Sequence, residues 1–164
     1  MIRVAIVTVS DSAVAGTRED RSGPKLRERA QALGWNIAAQ ELVPDEKDRI
    51  AALLRRLADS GHISVILTTG GTGVALRDVT PEATRAVIER EIPGVAEVMR
   101  FEGSKATPLA ALSRAVVGVR GRAVIINLPG SPKGAVESLD AIAKLVPHIV
   151  DLLEGRTGHV DVSH

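Results

Sequence analysis

Residues 63–68 read ISVILT, and residues 69–84 continue TGGTGVALRDVTPEAT. The first stretch is a short apolar run rich in β-branched residues, the pattern of a strand buried in a sheet. The second opens with a glycine cluster and reaches Thr80-Pro81, where Thr suits a helix N-cap and Pro the first helical turn. Strand, glycine loop and helix in that order form the repeating unit of a parallel α/β sheet.

The rest of the chain repeats the unit. Residues 2–9, IRVAIVTV, read as a first strand buried on both faces. Leu26, Ala30 and Leu33 then fall at helical spacing, and Gly34 supplies a stop. NIAAQELV, residues 36–43, is a weaker second strand. Ile50, Leu53, Leu54 and Leu57 mark the apolar stripe of the next helix. A short helix is expected over GVAEVMRFE. AVVGVRGRAVIINL predicts a hairpin turning at Arg120-Gly121. One last helix is expected from Ser131-Pro132, with Leu139, Ile142, Leu145, Ile149 and Leu152 along one side. The pattern predicts a three-layer α/β/α fold with a mostly parallel central sheet and one antiparallel excursion at the C-terminal hairpin. It predicts a single domain over residues 1–154, followed by an unpatterned tail at 155–164.

Composition narrows the function. At 164 residues the chain has room for one well-buried core, and a net charge of +1 gives no strong pull toward nucleic acid or an anionic membrane. Absence of cysteine excludes disulfides, thiolate catalysis and cysteine-based metal sites. Trp35 and Phe101 are the only aromatics, too few for a base-stacking platform. The apolar N-terminus is too short to span a membrane and lacks the parts of a signal peptide, so a cytoplasmic location is expected. His62, His148, His159 and His164 have no metal-ligand spacing. Trp35 reads as a packing residue.

In a parallel sheet every strand opens into a loop at the same edge, and ligands bind there. The four junctions are Ser10-Asp11-Ser12, Pro44-Asp45-Glu46, the TTGGTG loop with Asp78, and NLPGSPKG at residues 127–134. Gly70, Gly71 and Gly73 are able to take positive φ, so that successive N–H groups converge on one anion, with Thr69 and Thr72 adding hydroxyls. No Walker motif or dinucleotide fingerprint is present, and by itself the loop reads equally as a tight turn. Asp45 and Asp78 both follow strands. Beside a polyphosphate they would repel it, unless a magnesium ion bridges carboxylates and phosphates. For Asp45 the competing reading is an N-cap of the following helix. Ser131-Pro132 offers a capped helix N-terminus suited to phosphate. Lys133 reads either as an anion contact or as a solvated side chain. Ser10 and Asp11 read as a ligand loop or a polar turn. Arg77 and Arg100 can reach phosphate or lie on the surface. Ser113 has no histidine base nearby in sequence, so a hydrolase triad has no support.

VSDS, EDRSGPKL, VPDE, TTGGTGVALRDVTPEAT, IPGVAEVMR, LSRAVVGVRG and NLPGSPKG together resemble the molybdenum-cofactor biosynthesis family, across roughly residues 2 to 154. That family includes Mog-type molybdopterin adenylyltransferases, MoaB-type relatives and the gephyrin G domain. VPDE with NLPGSPKG leans toward the Mog-type branch. The resemblance implies a trimer that transfers AMP from Mg-ATP to molybdopterin and releases pyrophosphate. It implies Asp45 and Asp78 as the catalytic, magnesium-holding pair. Gly70–73 would be the nucleotide phosphate site. Ser113, with Asn127, Pro129, Gly130, Ser131 and Lys133, would belong to the pterin and phosphate pocket. The product would pass to a molybdate-insertion partner. Two other readings compete. One is a non-catalytic molybdopterin carrier, which has no evident need of two aspartates. The other is a nucleotide-binding oxidoreductase, which the missing fingerprint disfavours.

Overall fold

A computed structural model describes residues 1–156. The N-terminal run forms β1 (Arg3–Val9), buried at every position after Arg3. A single turn, α1 (Asp11–Val14), and helix α2 (Ser22–Ala32) follow. Gly34, at φ +83°, stops α2 as its position predicts. NIAAQELV is β2 (Asn36–Val43), with alternate residues exposed. It reads weakly because it is an edge strand, paired only to β1. Helix α3 (Lys47–Asp59) leads to β3 (Val65–Thr69), in which all five residues are buried.

Then come α4 (Thr80–Arg85), the two-residue strand β4 (Arg90–Glu91), α5 (Pro93–Ser104) and a 3-10 turn, Pro108–Leu112. The hairpin is β5 (Val117–Arg120) and β6 (Ala123–Leu128), with Gly121 at φ +55° in its turn. Strand order is β2-β1-β3-β6-β5-β4. Strands β2, β1, β3 and β6 are parallel, while β5 and β4 are the antiparallel excursion.

Strand alternation splits the core in two. Val4 and Ile6 of β1 pack with Leu26, Met99, Leu139 and Ile142 on one face. Ala5 and Val7 pack with Ile50, Leu54, Leu57 and Ala83 on the other. Trp35 is buried in the first cluster, as a packing residue.

Two local expectations are corrected. The last helix is broken into α6 (Pro132–Ile142) and α7 (Val146–Leu153). Pro147 has no N–H to donate, and its ring collides with the carbonyl four residues earlier. Leu145 and Leu152 are consequently exposed, while Val146 and Val150 are buried. Thr80 is not an N-cap: Val79 holds that place, and the Thr80 hydroxyl instead donates to Gly70 O at 2.9 Å. The tail expectation, with His159 and His164, falls mainly on residues 157–164, outside the described residues.

Candidate active site

The carboxyl ends of β1, β2, β3 and β6 bring the four junctions together, and hydrogen bonds lock them to one another. Asp11 N–H donates to Asp45 Oδ2, and Asp45 N–H donates to Asp11 Oδ1, both at 2.9 Å. Thr69 Oγ1 donates to Pro129 O at 2.7 Å, and Gly70 N–H to Leu128 O at 3.2 Å. Arg77 grips Asp11 with two bonds, Nε to Oδ2 at 2.7 Å and Nη2 to Oδ1 at 3.0 Å.

Two glycines of the loop take positive φ, Gly70 at +101° and Gly71 at +69°. Gly73 does not. It is required by close approach, since a Cβ there would lie 2.8 Å from Asp78 Oδ2. A Cβ on Gly70 would lie 2.3 Å from Val9 O, and one on Gly71 2.3 Å from Thr80 Oγ1. Among the described residues, the N–H groups of Gly71, Thr72 and Gly73 have no protein acceptor. Neighbouring backbone donors left without a protein acceptor are the raw material of an anion-binding concavity.

Asp45 is not a helix cap, because Glu46 holds that position without a side-chain bond. Its carboxyl is raised above the ordinary range. Burial is the main cause, and the negative charges of Asp11 and Asp78 add to it against the Asp11 backbone bond. Asp11 is lowered, chiefly by its hydrogen bond from Arg77 and then by that from the Asp45 backbone. Asp78 Oδ2 accepts from Ala75 N–H at 3.0 Å. Thus Asp45 and Asp78 each anchor one oxygen on a backbone N–H and leave the other without a protein partner.

A cleft of about 510 Å³ opens over Gly71–73 and Asp78, while Asp45 lies beside Gly71 and is not part of its lining. Its polar end is built from Gly71–73, Asp78, Gly130 and Ser131. Its apolar end comes from Met99, Leu109, Ala110 and Leu112. A second cleft of about 490 Å³ lies across the contact of Gly70 with Gly130 and is lined by Ser10, Thr69 and Asp20 among others.

The expected residues divide by what their side chains do. Gly71, Thr72, Gly73, Asp78, Ser113, Asn127, Pro129, Gly130 and Ser131 all line the first cleft. Asn127 is fully buried, however. Its amide donates to Thr68 and Thr84 at 3.0 Å and its carbonyl accepts from Val116 N–H, so it braces the wall. Ser10 caps α1 by accepting from Ala13 N–H. Ser131 caps α6 through Gly134 N–H, as its position predicts. The Lys133 side chain is 86% exposed, 3.8 Å from Glu137, and lines neither cleft. Arg100 lines the first cleft and donates to the Ser113 and Ala115 carbonyls.

Sequence reasoning missed Arg114. It donates to Gly73 O and Asp78 O, both at 2.7 Å, and pairs with Glu82. Burial works to raise the Glu82 carboxyl, but the hydrogen bond from Arg114 and the surrounding positive charge leave it lowered. The apolar end was also missed, because Met99, Leu109 and Leu112 carry no polar signature.

The donor set suits magnesium of one kind. Among the described residues, no group of three carboxylates or histidines is placed to cage a metal alone. Magnesium on a nucleotide needs one or two carboxylates, the remaining ligands being phosphates and water. Asp45, with its free Oδ1 beside Gly71, and Asp78, with Oδ2 beside Gly73 and Oδ1 without a protein partner, supply carboxylates of that number.

Residues 5–148 match the family described as a probable molybdopterin binding domain. The chain belongs to this family. It is 41% identical over 156 residues to a molybdopterin adenylyltransferase of Helicobacter pylori (strain J99), covering 94% of this chain and 89% of the relative. It is 40% identical over 168 residues to that of Escherichia coli K12, covering 94% and 86%. Among solved structures, the molybdopterin biosynthesis enzyme MoaB of Thermus thermophilus superposes with a TM-score of 0.89. The two are 53% identical, over 94% of this chain and 98% of that one. Identity therefore does not sort the chain into the Mog-type branch: MoaB is the nearer of these three.

Proposed function

We propose that this molybdopterin-binding domain is a molybdopterin adenylyltransferase, transferring AMP from ATP to molybdopterin in molybdenum-cofactor biosynthesis. Relatives of that name, about 40% identical over nearly the whole chain, support the activity. The observation that carries the site is an unpaired N–H array that shares one cleft with the half-free Asp78 carboxylate, with a second half-free carboxylate, Asp45, beside Gly71.

The chemistry needs no protein nucleophile. The terminal phosphate oxygen of molybdopterin attacks the α-phosphorus of ATP, the α–β P–O bond breaks, and pyrophosphate leaves with the bond's electron pair. The protein's task is positioning and charge complementarity. The N–H groups of Gly71, Thr72 and Gly73 receive phosphate oxygens. The Thr72 hydroxyl and the α6 N-terminus at Ser131 extend that cradle. Met99, Leu109 and Leu112 provide an apolar wall against which a flat ring packs and from which water is excluded. Asp45 and Asp78 would hold Mg2+, which when bound neutralises phosphate charge.

Residues 1–154 act as one domain, and the enzyme works as a homotrimer in the cytoplasm, handing its product to a molybdate-insertion partner. Without cysteine the fold does not depend on an oxidising compartment, and no described helix is long and apolar enough to cross a membrane. Light scattering at three chain masses checks the assembly. The deciding assay is pyrophosphate release from ATP, with and without molybdopterin and Mg2+, in wild type and Asp78→Asn. Release that requires molybdopterin and Mg2+ and collapses in the variant is expected. Tight pterin binding with no release in either protein overturns the reading in favour of a carrier.

A further inference from the structure

One residue outside the cleft holds the loop that carries Asp78. Arg114 follows the 3-10 turn, and its guanidinium reaches three acceptors: Gly73 O and Asp78 O at 2.7 Å, and Glu82 Oε1. Its own N–H donates to Thr72 O at 2.8 Å. The span it brackets has little packing of its own, since Val74 and Leu76 are both strongly exposed. Asp78 Oδ2 lies 2.8 Å from the point where a Gly73 Cβ would sit, so the carboxylate's place depends on the Gly73-to-Asp78 separation. Arg114 sets that separation by gripping both carbonyls. Glu82 Oε2 is buried with no hydrogen-bond partner, so the anchoring of Glu82 runs through its other oxygen, on Arg114. Arg114 does not line the cleft.

We infer that Arg114 is a positioning residue for adenylyl transfer: it fixes the Gly73-to-Asp78 span and thereby the Asp78 carboxylate, and Glu82 orients its guanidinium. This rests on the role given to Asp78 above. A planar fork with several donors is what the three acceptors require. Lysine, a point charge on a flexible stem, cannot replace it.

The test is a double-mutant cycle of Arg114→Met and Asp78→Asn. Its readouts are pyrophosphate release and Mn2+ binding in the presence of ATP, followed by electron paramagnetic resonance. Arg114→Met is expected to lower kcat by about 10–100-fold, the range for residues that orient a metal ligand. The KM for molybdopterin should stay within about twofold, and Mn2+ binding should weaken in the same sense as kcat. In the Asp78→Asn background the further loss should be below about twofold, because residues acting as one unit are non-additive. Arg114→Lys should not rescue, and Glu82→Gln should give a smaller loss of the same kind. Equal losses in both backgrounds, or unchanged Mn2+ binding, overturn the inference. So does an impaired Asp78→Asn beside an unaffected Arg114→Met, which leaves the adenylyltransferase reading intact. Wild-type release in Asp78→Asn overturns the role of Asp78 and this inference together. Should Arg114→Met fail to fold, Glu82→Gln run through the same cycle decides.

Discussion

Asp11 and Asp45 hold each other's backbone, each carboxylate accepting the other's N–H at 2.9 Å. The two loops after β1 and β2 are thereby joined, and Asp45 is fixed beside Gly71, with Oδ1 3.2 Å from where a Cβ would be.

The joining has a cost at Asp45. Its carboxyl is raised, first by burial and then by the charges of Asp11 and Asp78. Between the ordinary aspartate range and the raised value, the native chain keeps a proton that the unfolded chain has lost. Stability contributed by this group therefore falls as pH rises through that window, and above it the cost is complete. Asn never ionises and still offers an oxygen to the Asp11 N–H. In chelator at neutral pH, Asp45→Asn should melt no lower than wild type. Its turnover should fall by about 10²–10³-fold, the range for losing one charge-stabilising group. A clearly lower Tm would show that the anionic hydrogen bond outweighs the burial penalty.

Gly71 and Gly94 should respond oppositely to alanine. Gly71 sits at φ +69°, and its Cβ would strike Thr80 Oγ1, which holds Gly70 O. Gly71→Ala should cost about 1–3 kcal/mol, and turnover should drop with it. Gly94 lies in the first turn of α5 with nothing within 4 Å of its missing Cβ. Gly94→Ala should gain about 0.4–1 kcal/mol at unchanged turnover. Urea unfolding of both variants checks this, and equal shifts would refute it.

Asp59 and Arg120 tie the end of α3 to the hairpin through bonds of 2.9 and 3.1 Å. The hydrogen bond from Arg120 holds the Asp59 carboxyl below its ordinary value. For a lowered acid, the stability is present above the unfolded pKa and lost as pH falls through the folded one. Asp59→Asn should melt below wild type at neutral pH, and the gap should close on acidification. A gap of constant width from neutral to strongly acidic pH would contradict the assignment.

Lys133 points into solvent beside Glu137. Lys133→Ala should leave KM for both substrates within about twofold, since an exposed i,i+4 pair contributes only a few tenths of a kcal/mol. A tenfold rise in KM would mean that Lys133 swings onto substrate phosphate.

What the sequence revealed, and what it hid, follows from where each signal lives. Buried strands such as β3 announce themselves, because burial on both faces removes every polar position. The glycine loop was legible because positive φ and close approach permit few residue types there, and Asp78 lies against Gly73. Arg114 was not: an arginine is typical of surfaces, and its value here lies in three acceptors set far back in the chain, in the loop after β3 and in α4, beyond β4, α5 and the 3-10 turn. Thr80 was misread for a related reason. Its position next to Pro81 fits a cap, and only the tertiary approach of Gly70 diverts its hydroxyl. The break before α7 was in plain view as Pro147, but the leucine periodicity on both sides masked it.

The backbone contact of Gly70 with Gly130 restricts how this cleft can diversify. A Cβ at position 130 would lie 3.3 Å from Gly70 Cα, and one at position 70 would meet β1 whatever residue stood at 130. Position 70 offers no viable first step, and a side chain at 130 has to push Gly70 back by a few tenths of an ångström, so a library randomised there would return mostly glycine at 70. New ligand shapes have to be sought on the opposite wall, at Met99, Leu109 and Leu112, where exchange touches side chains only. The polar floor is thus the sterically constrained part of the cleft, and the apolar wall is the part open to exchange.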